Sequence, residues 1–233
     1  MTKPGEQKRV NNMLLGPLER PALNWMSAHM PSGITPNMLT YLGLAGAIMT
    51  FVAYGLSRQN RNYLWVASLG FIVNWLGDSL DGTLARYRKI ERPRFGFYVD
   101  HSADAFTQVV FFAGLGISPY VRFDFALLAL IGYLLMSILT YINAIVGGEF
   151  RISYAKIGPT EMRMIAILTN LYFYFGRSAA WNSPIGPLSN FDAVLLIIAV
   201  VMLGGFLVTA IMKAREWDKL DPGKKPGSPT GAA

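Results

Sequence analysis

Apolar positions along this chain fall into blocks. Six stretches, 38–56, 63–85, 96–117, 125–146, 162–175 and 192–212, are mainly apolar and are separated by short polar segments. A helix needs about 20 such residues to cross roughly 30 Å of hydrocarbon, so the pattern predicts an all-α integral membrane protein with six transmembrane helices. The fifth stretch is short and needs its flanks to complete a span. Upstream, residues 12–30 mix Leu14, Leu15, Leu18, Leu23, Trp25 and Met26 with Glu19, Arg20 and His29, and Pro17 and Pro21 argue against a span there. That stretch predicts an N-terminal amphipathic segment lying in the interface. The expected organisation is a cytoplasmic or interfacial segment at 1–36, a six-helix transmembrane domain at 37–214 and a flexible cytoplasmic tail at 215–233, rich in Pro, Gly and Lys from 221 onward.

Composition supports this division: 52% of the 233 residues are apolar and 15% charged, which leaves no room for a sizeable soluble domain. The first apolar stretch starts too late, runs too long and lacks the cleavage site of a signal peptide. Without cysteine the chain has neither disulfides nor a thiolate nucleophile or metal ligand. No internal repeat suggests two inverted transporter halves. The net charge of +7 is unevenly placed. Lys and Arg gather before the first stretch, between the second and third, between the fourth and fifth, and after the sixth, whereas Arg58, Arg61, Arg122 and Arg177 fall in the intervening segments. The positive-inside rule then puts both termini in the cytoplasm, in a multi-pass protein expected in the bacterial inner membrane. Basic loops of this kind attract anionic membrane lipids; no module for nucleic acid accompanies them.

The second and third stretches meet their connecting loop in an acidic window, Asp78-Ser-Leu-Asp81-Gly82-Thr-Leu-Ala85-Arg86, nine residues, then Gly96-Phe-Tyr-Val-Asp100-His-Ser-Ala-Asp104. One such aspartate is ordinarily a solvated interfacial residue, or pairs with a basic neighbour such as Arg88, Lys89, Arg92 or Arg94. Four on two apolar helices are costly, because a charge in a membrane helix costs about 2.5–3.5 kcal/mol on insertion scales. At roughly 100° per residue Asp78, Asp81, Gly82 and Ala85 share one face, and Gly96, Asp100 and Asp104 recur every fourth residue on one stripe. Two carboxylates from each helix can therefore converge on one gap. Clustered carboxylates need cations, and hard oxygen ligands suit Mg²⁺ or Mn²⁺. Gly82, Ala85 and Gly96 leave room for a ligand or serve helix packing. Arg86 is placed to meet a phosphate. His101 falls about 100° from the Asp100/Asp104 stripe and is expected to be structural.

The spacing D-x-x-D-G-x-x-A-R, a short spacer, then G-x-x-x-D-x-x-x-D resembles the signature of the CDP-alcohol phosphotransferase (CDP-alcohol phosphatidyltransferase) family, and Thr35-Pro36-Asn37 at the first helix entry is similar too. The resemblance extends to about Ala214. It implies an enzyme of phospholipid biosynthesis that transfers a substituted phosphate from a CDP-linked donor to an alcohol acceptor, releases CMP and acts as a homodimer. It further implies two divalent ions, Mg²⁺ or Mn²⁺, held by Asp78, Asp81, Asp100 and Asp104, with Asp104 as the catalytic base. The CDP site would be lined by Asp78, Asp81, Gly82, Ala85, Arg86, Gly96 and Asn37.

The acceptor is open. The segment Gly148–Arg163 matches neither the phosphatidylglycerophosphate synthase nor the phosphatidylserine synthase pattern. Gly158-Pro159-Thr160-Glu161 and Asp100-His101-Ser-Ala-Asp104 resemble the choline and ethanolamine phosphotransferases, which act on diacylglycerol. The spacing of Gly158, Glu161 and Arg163 is similar to that of phosphatidylinositol phosphate synthases. CDP-diacylglycerol is the expected donor, and Arg151, Lys156 and Arg163 would bind an anionic acceptor unless they serve only to set topology. The alternative within the chemistry is transfer of choline or ethanolamine phosphate from its CDP ester to diacylglycerol. The alternative outside it is a cation transporter or channel, for which acidic residues should continue across the bilayer; here they cluster at one end.

Overall fold

Each apolar block becomes a helix, and several of these helices open on a proline or a capping side chain. The structure is a computed structural model that describes residues 8–10, 14–147, 149–151, 158–177, 179–184 and 186–221. In chain order the elements are β1 (Lys8–Val10), α1 (Gly16–Ala28), α2 (Pro36–Leu56), α3 (Tyr63–Tyr87), α4 (Pro93–Ile117), α5 (Phe123–Gly147), β2 (Glu149–Arg151), α6 (Pro159–Phe175), β3 (Ala180–Ser183), β4 (Gly186–Ser189) and α7 (Asn190–Leu220). Proline opens α2, α4 and α6, where its missing N–H removes a donor that would lack a partner anyway. Thr35 caps α2 by accepting from the Met38 N–H at 3.3 Å, and Ser189 caps α7 by accepting from the Asp192 N–H at 3.1 Å.

Among the described residues three helices, α2, α5 and α7, are long and apolar enough to cross a membrane. The 25-residue α3 and α4 have the length, but carry the polar window; α6 has 17 residues. At 13 residues α1 is far below spanning length, and it stays continuous through Pro21, whose absent N–H leaves only the Pro17 carbonyl without its helical partner. The outer face is apolar: Ile197, Val200, Val201, Leu207 and Val208 of α7 are all exposed.

Two features depart from the sequence reading. Short strands accompany the helices: β1 pairs with β2 in parallel, Lys8 opposite Glu149, and β3 pairs with β4 antiparallel, closing at Ser183 and Gly186. Gly186 has φ +99°, a region that favours glycine. Segments this short pair to satisfy backbone groups and show no alternating pattern by which a sequence reveals them. In addition α7 continues to Leu220, past the expected start of a flexible tail at 215, because good helix formers and a Lys213–Glu216 ion pair of 2.7 Å carry it on. The rest of that tail, 222–233, lies outside the described residues.

The helices pack so that one end of the bundle is filled and the other hollow. At the filled end a core that includes Tyr54, Phe71, Tyr120, Phe173, Phe191 and Leu195 joins α2, α3, α6, α7 and the segment before α5; Tyr120 stacks on Phe173 at 5.2 Å between centroids. Along the bundle α2 and α3 approach backbone to backbone. A Cβ on Gly77 would overlap the Gly43 amide nitrogen and the Leu39 carbonyl, and one on Gly46 would lie 2.8 Å from the Gly70 carbonyl oxygen. Thr50 bridges the same gap, donating to the Ala67 carbonyl at 3.2 Å. Replacing Gly77 with Val must therefore separate the helices. We expect it to destabilise the protein by about 1–3 kcal/mol or more, read as a lowered unfolding temperature in detergent; an unchanged temperature would mean that the two helices can part freely.

Candidate active site

The hollow end is a cavity of about 1510 Å³ lined by residues from all seven helices. Asp78 and Asp81 stand near the C-terminal end of α3, and Asp100 and Asp104 in the first half of α4. Carboxylate oxygens of Asp78, Asp100 and Asp104 all lie within 4.8 Å of one another. Asp81 is outside that group. Its Oδ2 accepts a 2.6 Å hydrogen bond from Thr40 of α2, and its Oδ1 accepts from the Gly82 N–H.

Like charges at this spacing repel strongly where water is scarce, and α6 supplies the nearest compensation. The Nη2 of Arg163 reaches Asp78 at 2.7 Å, and its Nε donates to Asn74 Oδ1 at 2.8 Å. Asn74, one turn before Asp78, is 2% exposed and donates in turn to the Gly43 carbonyl at 2.9 Å. A chain of polar contacts thus runs from α2 through α3 to α6.

The remaining expected residues share the same cavity: Asn37, Gly82, Ala85, Arg86 and Gly96 line it together with Arg163 and the four aspartates. Arg86 folds back over Gly82, so that a Cβ there would lie 3.2 Å from its Nη1, and it donates to Thr83. Gly96 faces open space. Asn37 accepts from Arg92 at 2.9 Å, and the Arg92 guanidinium lies 3.9 Å over the Phe95 ring. Of the acceptor candidates, Arg163 joins the aspartates, Arg151 is placed by its backbone on β2 opposite Val10, and Lys156 lies outside the described residues.

His101 corrects the angular expectation. It lines the cavity, with Nδ1 3.5 Å from Asp100 Oδ2 and its ring against Phe97 and Tyr141. An offset of 100° from the stripe still leaves a long ring able to reach a cavity as wide as this one.

Several residues at the site lie outside the acidic motif. Glu19 of α1 is 8% exposed, and its Oε1 accepts from Trp75 Nε1 at 2.8 Å, Ser79 Oγ at 3.1 Å and Thr160 Oγ1 at 3.0 Å. Glu161 accepts from the Gly158 N–H at 2.9 Å, capping α6, and from the Leu15 N–H at 2.8 Å. These two glutamates fasten α1 across α3 and α6 beside the cavity. Arg88 has a similar duty, donating to the carbonyls of Met30, Pro31, Ser32 and Ile34 between α1 and α2. Asn74, at i−4 from Asp78, could have been noticed from its helical register; Glu19 and Thr40 depend on tertiary contacts alone.

The donor set fits a hard divalent cation. Three carboxylates converge, the chain has no cysteine thiolate to compete with them, and one guanidinium at Asp78 leaves an excess of negative charge for an ion to neutralise.

Fold and site together define a class: a helical bundle, plugged at one end, that presents clustered aspartates of two adjoining helices to a wide cavity at the other. The profile of the CDP-alcohol phosphatidyltransferase family matches residues 33–204, and the chain belongs to that family. Among curated proteins it is 23% identical to cholinephosphotransferase 1 of Bos taurus over 189 residues, 76% of this chain and 45% of that protein. It is 31% identical to the archaetidylinositol phosphate synthase of Pyrococcus horikoshii over 106 residues, 45% of this chain and 53% of that protein. The chain spans about half the length of the curated relatives it matches. Its fold is similar to that of Mycobacterium tuberculosis phosphatidylinositol phosphate synthase in a crystal structure with CDP-DAG bound, with a TM-score of 0.56 and 19% identity, covering 91% of this chain and 97% of that one.

The Glu19 contacts generate a direct expectation. Glu19→Ala leaves the Trp75, Ser79 and Thr160 donors without their shared acceptor, and each lost buried bond costs about 1–3 kcal/mol. The unfolding temperature should fall and limited proteolysis should release α1 first. Glu19→Gln retains an acceptor oxygen and should lose clearly less; equal losses would mean that α1 is held by packing instead.

Proposed function

We propose that this protein is a membrane enzyme of phospholipid biosynthesis that transfers a substituted phosphate from a CDP-linked donor to an alcohol and releases CMP. The observation that carries it is the convergence of Asp78, Asp100 and Asp104 within 4.8 Å in a cavity that every residue of the family signature lines. In this reading α2 to α7 are six spans, with both termini and the cavity mouth on the cytoplasmic side, and α1 lies in the interface. Exposed Leu14, Leu18 and Trp25 support that placement of α1, and the basic residues near the end of α3 support the orientation.

Asp78, Asp81, Asp100 and Asp104 would hold two divalent ions, which when bound neutralise the donor pyrophosphate and stabilise the leaving CMP oxygen. The chain's own groups do the rest. Arg86, lying over Gly82, offers a guanidinium to phosphate, and Ala85 leaves space for the nucleotide. Asp104 accepts the proton of the acceptor hydroxyl as its oxygen forms a bond to the phosphorus that carries the substituent. The bond from that phosphorus to the CMP oxygen breaks, CMP leaves with the electron pair, and the proton passes from Asp104 to solvent.

CDP-diacylglycerol is the favoured donor, with a small polar alcohol as acceptor. Met136 of α5 and Val201 and Met202 of α7 form an apolar side of the cavity, along which a lipid-linked nucleotide can lie. The second reading, transfer of choline or ethanolamine phosphate to diacylglycerol, is favoured by the match to cholinephosphotransferase 1 over 76% of the chain. The stretch 158–161 adds less to it than sequence suggests, since Thr160 and Glu161 are occupied in holding α1.

The test incubates purified protein and Mg²⁺ with CDP-diacylglycerol and a panel of serine, glycerol 3-phosphate, inositol, inositol phosphate and choline. In parallel, CDP-choline or CDP-ethanolamine is offered with diacylglycerol, and CMP and lipid products are measured by mass spectrometry. We expect CMP in the CDP-diacylglycerol arm, none in EDTA, and a loss of about 100-fold or more for Asp100→Asn. Product only from the CDP-choline or CDP-ethanolamine arm would reassign the donor; CMP in neither arm would overturn the reaction.

Asp104→Asn should behave differently from Asp100→Asn. Calorimetry in Mg²⁺ should still detect CDP binding, while transfer falls by about 10²–10⁴-fold, the range of a lost general base. Parallel loss of binding and turnover would assign Asp104 to metal binding alone.

A further inference from the structure

Arg163 sits where a metal ion would compete with it. Its Nη2 is 2.7 Å from Asp78 Oδ2, an oxygen of the carboxylate that converges with Asp100 and Asp104. Its Nε is held separately by Asn74, itself pinned to the Gly43 carbonyl. The residue is only 8% exposed, so water screens this cation poorly. A divalent ion taken up by Asp78 would share one carboxylate with a guanidinium at contact distance, and two cations so placed repel. An ion that takes Oδ2, or both oxygens of Asp78, competes directly with the guanidinium for that carboxylate.

We propose that Arg163 is a resident counter-ion of the metal site: it balances Asp78 in the metal-free protein, and metal binding displaces it from that carboxylate. The Nε–Asn74 bond gives the guanidinium a pivot, so that leaving Asp78 turns its terminal nitrogens into the cavity and toward an arriving phosphate group. A residue that the sequence marks only as an acceptor-binding candidate thus gains an earlier role. It keeps the carboxylate cluster from repelling itself while empty and weakens ion binding until an anion is present to receive it. Because linkage is reciprocal, an anion that captures Arg163 tightens the metal to the same degree as the metal tightens the anion. The inference rests on the metal-binding reading given above.

The test measures Mn²⁺ affinity by electron paramagnetic resonance on purified full-length protein in detergent, and unfolding temperature with and without saturating Mn²⁺. Wild type, Arg163→Gln, Arg163→Lys and Asp100→Asn are compared without nucleotide or lipid. Removing the competing charge in Arg163→Gln should tighten Mn²⁺ binding on the order of tenfold. The same variant should be less stable than wild type without metal, and the gap should shrink when Mn²⁺ is added. Arg163→Lys keeps the charge but not the planar fork that spans Asn74 and Asp78, so its affinity should fall between the two. If Arg163→Gln does not fold, tighter binding by Arg163→Lys than by wild type supports the exchange alone. Affinity equal to or weaker than wild type in both variants, or in Arg163→Lys where it alone folds, overturns the proposal. So does a stability loss that Mn²⁺ leaves unchanged, the mark of a purely structural arginine. Failure of wild type to bind Mn²⁺ more tightly than Asp100→Asn overturns the metal site together with this inference.

Discussion

Mutual repulsion among half-buried carboxylates is the constraint on which the rest of this structure turns. Asp78, Asp100 and Asp104 are held within 4.8 Å of one another in a bundle whose outer surface is hydrocarbon. The helices around them are arranged to supply what they lack. α6 brings Arg163 to Asp78, and α2 brings Thr40 to Asp81. The contacts are few and directional, so each fixes a helix in rotation as well as in position. Apolar packing alone could not do this, because the helices' lipid-facing and buried apolar residues differ little in chemistry.

That arrangement depends on an asymmetry in packing. Aromatic rings crowd one end of the bundle and leave a cavity of about 120 Å³ among them, while the wide cavity at the other end is lined by aspartates, arginines and glycines beside an apolar side from α5 and α7. The cavity is therefore the expected outcome of placing aspartates, glycines and an alanine where the opposite end places Phe71, Phe173 and Phe191. Glu19 and Glu161 then secure α1 beside the opening through hydrogen bonds to neutral donors.

Much of this was legible in the amino-acid sequence. The apolar blocks gave the long helices to within a few residues, except at the C-terminal end of α7, because length and hydrophobicity decide helices in such a chain. The shared faces of Asp78, Asp81, Gly82 and Ala85, and of Gly96, Asp100 and Asp104, followed from helical geometry, and all of these residues line one cavity. What sequence withheld was pairing across helices. Thr40 and Glu19 look like ordinary helix residues until the bundle forms, and Arg163 carries no mark of its tie to Asp78. The separation of Asp81 from the other three carboxylates is a rotamer choice made by Thr40, which spacing cannot reveal. The short strands escaped notice because three or four residues carry no periodicity.

The glycine-lined contact between α2 and α3 has a dynamic consequence. With no side chains at Gly43, Gly46, Gly70 and Gly77 to change rotamer, the seam has no soft layer in which one helix can slide past the other. The pair must tilt as one rigid piece and carry Asp78 and Asp81 with it. Any breathing that admits a bulky molecule to the cavity then falls to helices joined through longer, deformable side chains. α6 is joined in that way, since it reaches α3 through the long Arg163 side chain, to Asn74 and Asp78. The α2–α3 seam thus fixes Asp78 and Asp81 relative to one another, whereas Asp100 and Asp104 ride on α4.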